Sequence, residues 1–234
     1  MRSASYTIIF SAVVSIIVGA MLSFVSMALK ERQDENRAVD RQMSILRAAQ
    51  IEAQSKADVS ELFKKLIEPM VIDNVGELKT DVSVEEVSEK TPNLLVIFGV
   101  KEQKDDKKFK GFIYPVVGNG LWSKLYGYLA VDDLGKEIVG LSFFQQGETP
   151  GLGAEIEKQW FLDNFKGKAI FNDDKLVGVR VAKGLAKLDP SFKSESKHLV
   201  DGISGATITG DGVTHMLKAE PLKYEAFFKS RRRR

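Results

Sequence analysis

Apolar positions along this chain fall into three regimes. The first is an unbroken run, SASYTIIFSAVVSIIVGAMLSFVSMAL, in which residues 3–29 carry no charge. As a helix it would be about 40 Å long against a hydrocarbon core of about 30 Å, so the pattern predicts a transmembrane anchor over residues 1–30. A cleaved signal peptide is the competing reading, because Ser26-Met27-Ala28 resembles a small-x-small cleavage site. The run far exceeds the usual apolar core of a signal, roughly 7–15 residues, and only Arg2 precedes it, which favours a retained single-pass anchor. The second regime is helical. Residues 31–55 read as a charged stalk with a rough stripe of Ala38, Val39, Met43, Ile45, Leu46 and Ala49, and residues 60–67 as an amphipathic helix ended by Pro69. The third regime is β. A strand and turn are expected over 69–79, then strands at 94–98, 112–117 and 126–131. Residues 136–144 are expected to pair back across the Asp132-Asp133-Leu134-Gly135 turn. Residues 159–165 read as helix, 175–182 as a further strand, and 224–228 as an apolar closing segment. A last helix is expected beyond residue 207. Strands dominate, with helices grouped before, between and after them. An α+β domain over residues 56–234 fits this order better than a doubly wound sheet.

Composition narrows the function classes. The 234 residues leave room for the anchor and one ordinary domain, and 44% hydrophobic with 28% charged residues is a globular balance. A net charge of +2 makes no case for nucleic-acid binding. With no cysteine and only His198 and His215, a disulfide framework, thiolate chemistry and a metal site are not expected. Arg2 lies before the anchor and Lys30, Arg32, Arg37 and Arg41 after it. A positive-inside count would therefore put the domain in the cytoplasm, although long domains translocate largely regardless of charge. The anchor holds no carboxylate, which argues against ion conduction through it. The basic tail at 231–234 reads as solvated, with contact to anionic lipid as the alternative, and is assigned no function.

Three loops of small residues interrupt the β region. Asp201-Gly-Ile-Ser-Gly-Ala-Thr207 has almost no side-chain bulk before Thr207 and leads into a helix. Backbone N–H groups there could approach an anion, with a hydroxyl standing where the anion would sit. A plain tight turn with a cap reads equally well from spacing alone. It is neither a P-loop nor a dinucleotide fingerprint. Gly147-Glu148-Thr149-Pro150-Gly151-Leu152-Gly153 could pass its backbone along a flat ligand, and Gly118-Asn-Gly-Leu121-Trp122-Ser123 places two apolar side chains in a loop. No Ser-His-Asp set, paired carboxylates or metal cluster points to bond-making catalysis.

The loop ending at Thr207 resembles the D-G-x-S-G-A-T motif of covalent FMN-binding domains, and the whole set is similar to the NqrC family of Na+-translocating NADH:quinone reductase subunits. The resemblance covers nearly the whole chain. It implies an FMN joined to Thr207 by a phosphoester, installed by a flavin transferase, with Asp201 in the motif and the Ser204, Gly205 and Ala206 backbone at the phosphate. It implies further that Glu148, Thr149 and Leu152, on a loop opened by Gly147, Gly151 and Gly153, border the isoalloxazine and ribityl chain. Leu121 and Trp122 match a G-L-W-S motif, and Lys183 and Gly184 would lie near the ligand. Relatives often carry histidine before the first of these glycines, where this chain has Gln146. The function so implied is that of an electron-transfer subunit, not catalytic alone, in a complex that oxidises NADH, reduces ubiquinone and exports Na+. It would sit in a bacterial inner membrane beside the other subunits, with the flavin domain periplasmic. Two alternatives stand: the homologous flavin subunit of an Rnf-type ferredoxin:NAD+ oxidoreductase, disfavoured by Gly120-Leu-Trp-Ser123, and a membrane-tethered non-redox binding module.

Overall fold

The computed structural model describes residues 3–88, 90–106, 108–173 and 175–233, so Arg2 and Arg234 lie outside the described residues. It divides into compact units of residues 1–40 and 41–234. From Ala4 onward the first unit belongs to helix α1 (Ala4–Ala48), whose apolar stretch has a mean hydropathy of 2.6 over an 18-residue window with none of that window buried. Ile8, Phe10, Phe24 and Met27 are all exposed. One helix long and apolar enough to cross a membrane is therefore present, and it fits a single-pass membrane protein.

The second unit starts inside α1. Ser44, Ile45, Leu46 and Ala48 are buried, and Ser142 Oγ donates to the Ser44 carbonyl at 2.7 Å. The helix stops at Gln50, which takes a left-handed φ of 60° while the Ile51 N–H returns to the Leu46 carbonyl at 2.9 Å. Helix α2 (Lys56–Leu66) opens on a capping box. The Ser55 hydroxyl accepts the Asp58 N–H at 3.2 Å and the Asp58 carboxylate accepts the Ser55 N–H at 3.0 Å.

Strands β1 (Ile67–Asp73), β2 (Leu78–Lys79), β3 (Leu94–Val100), β4 (Gly111–Asn119), β5 (Lys124–Asp132) and β6 (Ile138–Gln145) form a sheet in the order β2-β1-β3-β4-β5-β6. Every pairing in it is antiparallel. Strands β4 and β5 pair from Gly111↔Asp132 to Asn119↔Lys124. Strands β3 and β4 pair only as far as Phe98↔Ile113. Continuing that register would set Val96 opposite Pro115, which has no N–H to give. The Val96 carbonyl accepts the Tyr224 hydroxyl at 3.2 Å instead, and the Tyr224 ring stacks on Tyr114 at 4.2 Å. A break required by one proline is thus closed by a side chain from the far end of the chain.

Beyond β6, helix α3 (Gln159–Leu162) runs into a 3-10 turn at Asp163–Phe165. The strand expected over 175–182 is two short pieces. Strand β8 (Lys175–Leu176) pairs with β7 (Phe171–Asn172), while β9 (Arg180–Val181) pairs in parallel with β10 (Leu199–Val200). Between them Gly178 turns the chain at φ +69°, where a Cβ would meet the Leu217 carbonyl at 2.6 Å. A positive φ against a packed helix cannot belong to a continuous strand. A short helix α4 (Phe192–Glu195) precedes β10.

Helix α5 (Thr207–Lys223) lies on the sheet, sharing with Phe112, Tyr114 and Val116 a core that takes in Val213, Met216 and Leu217. Gly212 lets its first half press on the end of β4, since a Cβ there would fall on the Asn119 carbonyl. That contact carries the start of α5 to the β4–β5 turn. Helix α6 (Glu225–Arg232) buries Phe227 and Phe228, each worth about 2 kcal/mol of transfer from water. The tail expected to be solvated is partly docked. Arg231 stacks over Phe112 at 4.5 Å and donates to the Asp133 carbonyl, and Arg232 lies over Phe171 at 4.5 Å. Aromatic faces attract guanidinium ions, a pull that charge counting along the chain does not register.

Candidate functional site

Glu148 is the hub of the region that the three small-residue loops form. Only 6% exposed, its carboxylate accepts the N–H groups of Leu121 at 3.0 Å, Trp122 at 2.9 Å and Ser123 at 3.2 Å. The Thr209 hydroxyl donates to the same carboxylate at 2.6 Å. Burial works to raise the Glu148 pKa, but the bonds from Thr209 and the three N–H groups more than reverse it, and the group titrates below the usual carboxylate range. The nearby glycines make room for this arrangement. A Cβ on Gly120 would sit 2.5 Å from Glu148 Oε1, and one on Gly153 2.6 Å from Thr209 Oγ1. Gly147 donates its N–H to Ser123 Oγ at 2.7 Å, tying the second loop to the first again.

Beside this hub opens a cleft of about 250 Å³. Leu121, Trp122, Glu148, Thr149, Leu152 and Gly153 line one part of it, and Gly205, Ala206 and Thr207 the other. Gly205 turns the chain at φ +75°, after which Ala206 caps α5 with no side-chain acceptor. The first helical bond runs from Gly210 N–H to the Ala206 carbonyl, so the N–H groups of Thr207, Ile208 and Thr209 have no acceptor within the helix and lie at its positive end. Thr207 is exposed there. Around it Trp122 is 72% exposed and Ile208 57% exposed, with Leu121 and Leu152 also open to solvent. Four apolar side chains gathered beside one hydroxyl and a helix start form a surface suited to a flat aromatic ring with an anionic end.

The remaining expected residues shape the surroundings. Asp201 Oδ1 accepts the Ala186 N–H at 2.6 Å, and Gly202 N–H donates to the Gly184 carbonyl at 2.7 Å, so the loop carrying Lys183 and Gly184 is fastened to the one carrying Thr207. Lys183 and Ser204 are exposed and, like Asp201, Gly147, Gly151 and Gly184, do not line the cleft. Gln146 turns its amide oxygen to the Glu148 N–H. Ile208 and Thr209 line the cleft and were not anticipated. The signal available for Thr209 was its place two residues after Thr207 on a helix, where one side chain faces out and the other in. Larger clefts of about 570 and 440 Å³ lie elsewhere and contain none of the expected residues.

Sheet, cleft and helix start together define a flavoprotein domain, and the family model of the FMN-binding domain matches residues 120–219. The C subunit of the Na(+)-translocating NADH-quinone reductase of Vibrio alginolyticus is 33% identical over 224 residues, covering 86% of this chain and 84% of that protein. The crystal structure of the corresponding protein from Parabacteroides distasonis superposes with a TM-score of 0.72 at 32% identity, covering 86% of this chain and 96% of the other. NqrC of Shewanella oneidensis follows with a TM-score of 0.70 at 28% identity, covering 88% and 100%. This chain belongs to the NqrC family, the C subunits of the Na+-translocating NADH-quinone reductases.

Proposed function

We propose that the chain is the electron-transfer subunit of such a reductase, relaying electrons through FMN held covalently on Thr207. The observation that carries this reading is the contrast between two hydroxyls in one helical turn. Thr207 is exposed at the mouth of the cleft, whereas Thr209 is 1% exposed and spends its proton on Glu148. Only the first is open to a phosphoester.

The N–H groups at the start of α5 that lack a helical acceptor, with the backbone of Ser204 and Gly205, would hold the phosphate, where helix dipole and small residues favour an anion. The Ala206 N–H is given to the Ile203 carbonyl at 3.1 Å and shapes the turn instead. Leu121, Trp122, Leu152 and Ile208 would lie against the isoalloxazine, and Thr149 near the ribityl chain. The cleft is smaller than the roughly 300–1,000 Å³ usual for a whole ligand, so part of the ring would rest on the apolar rim. When bound, FMN supplies the electron-carrying chemistry, and the protein supplies position, polarity and access. A covalent bond would keep the cofactor on a domain facing the periplasm, where lost FMN is not readily replaced. The partners are the other subunits of a bacterial inner-membrane complex, and a flavin transferase for maturation. The NADH:ubiquinone reaction and Na+ export belong to the assembled complex.

Intact-mass spectrometry tests this directly. Protein co-produced with the flavin transferase is expected to gain the mass of FMN less one water, and fragments containing residue 207 to retain it. A bare polypeptide mass from cells able to install the cofactor would refute the proposal.

A further inference from the structure

Glu148 is a buried carboxylate without a cation. None of the ion pairs among the described residues includes it, and it forms part of the wall of the cleft that holds Thr207. An ionised carboxylate offers about four lone-pair sites. Here Leu121, Trp122, Ser123 and Thr209 occupy four, which leaves none for a hydroxyl of the ribityl chain. A role as a direct ligand of the cofactor is therefore poorly served by this geometry.

We infer that Glu148 is a positioning and electrostatic residue whose fixed negative charge lowers the reduction potential of the flavin carried beside it. The inference rests on the reading of Thr207 as the FMN attachment point. Two features of the site support it. The carboxylate joins the β4–β5 turn to the first turn of α5, so it sets the relation between the apolar side chains of the turn and the hydroxyl of the helix. The four donors are neutral dipoles. They make ionisation favourable without cancelling the net charge, and a buried charge is screened far less than a surface one. An isoalloxazine gains negative character as it accepts electrons. A fixed anion in the same cleft opposes that gain, by an amount set by Coulomb's law at an intermediate dielectric.

Charge and clamp can be separated by two substitutions in the full chain, each co-produced with the flavin transferase and checked for the FMN mass. Glu148→Gln removes the charge and weakens the clamp. Thr209→Val weakens the clamp, keeps the charge and takes away one of the dipoles that offset it. The midpoint potential of the bound flavin is then measured by spectroelectrochemical titration. With Glu148→Gln the reduction equilibrium is expected to move toward the reduced flavin by about tenfold or more, the scale of a unit charge acting over about 10 Å at an effective dielectric near 20. With Thr209→Val the midpoint is expected to stay or to fall. A purely structural clamp predicts shifts of the same sign in both variants. An unchanged or lowered midpoint in Glu148→Gln, or a raised one in Thr209→Val, overturns the inference. Should Glu148→Gln fail to fold or to load, Thr209→Val decides alone: a midpoint below that of the wild type supports the inference, and an unchanged or raised one overturns it. A wild-type chain lacking the FMN mass instead removes the reading of Thr207, and with it the basis of this inference.

Discussion

Thr209 donates its hydroxyl to Glu148 Oε2 at 2.6 Å from a position two residues beyond Thr207 in the same helix. A rotation of about 200° separates the two side chains around the helix axis, so one hydroxyl is exposed at the cleft mouth and the other is buried against Glu148. The sequence T-I-T offers two alcohols, and the packing of α5 presents only one.

Thr207→Val is therefore expected to abolish covalent flavin without moving it to Thr209. Intact mass and in-gel flavin fluorescence after denaturing electrophoresis check this. The fold should survive, because Thr207 is exposed and Val is tolerated in a first helical turn, and circular dichroism should show an unchanged melting transition. Covalent flavin remaining in this variant would place the attachment elsewhere.

Gly153→Ala tests how closely the second loop approaches the hub. The new methyl would lie 2.6 Å from Thr209 Oγ1 and 2.8 Å from Glu148 atoms, too close without displacing the carboxylate. Such overpacking costs about 1–3 kcal/mol, readable as a lower urea midpoint. Flavin loading should fall with it, since Glu148 also holds Leu121 and Trp122.

Tyr224→Phe should cost about 1 kcal/mol by leaving the Val96 carbonyl without its hydroxyl partner while keeping the stacked ring. The loss should disappear in a double-mutant cycle with Pro115→Val if the new N–H reaches Val96. Urea denaturation of the four proteins gives the coupling energy.

Acid stability should depend on Arg180. It pairs with Asp189 at 3.0 Å and Glu195 at 3.1 Å, and its hydrogen bonds hold both carboxyls below their usual range. A carboxyl whose folded pKa is depressed contributes stability above its unfolded value, about 3.9–4.3, and loses it as pH falls through the folded value. The stability difference between wild type and Arg180→Gln is thus expected in full at neutral pH and should shrink below about pH 4. Urea midpoints across pH 2–7 check this, and a difference independent of pH would contradict it.

The periplasmic orientation has a direct test because the chain has no cysteine. Lys193→Cys, at an exposed position, is expected to react with a membrane-impermeant maleimide in spheroplasts before lysis. Reaction only after lysis would place the domain in the cytoplasm, where the charges around the anchor point.

Much of the molecule could be read from order along the chain. The uncharged run before Lys30 is long enough to demand a helix. The short apolar runs over residues 112–144, parted by a Gly-Asn-Gly loop and an Asp-Asp-Leu-Gly turn, predict paired strands, and the small residues before Thr207 predict a turn that leads into a helix. Each signal lies within a few residues of the structure it determines, because helix, hairpin and turn are decided by neighbours. The broken strand at Gly178 was less legible, since Val177, Val179 and Val181 carry a β pattern and only the contact with Leu217 shows why the chain must turn.

By itself, then, the sequence determined the long apolar N-terminal helix, the α+β character of the domain and the three loops from which a cofactor site would be built. Tertiary structure alone decided that Glu148, on the second loop, binds the first loop and the first turn of α5, and that Thr209 is withdrawn while Thr207 is offered. It also decided that Tyr224 fills the gap left by Pro115 and that Arg231 rests on Phe112. These are contacts between segments far apart in the chain. Their partners are chosen by which faces of the sheet and of α5 meet, and no local pattern of apolar and polar residues records that choice.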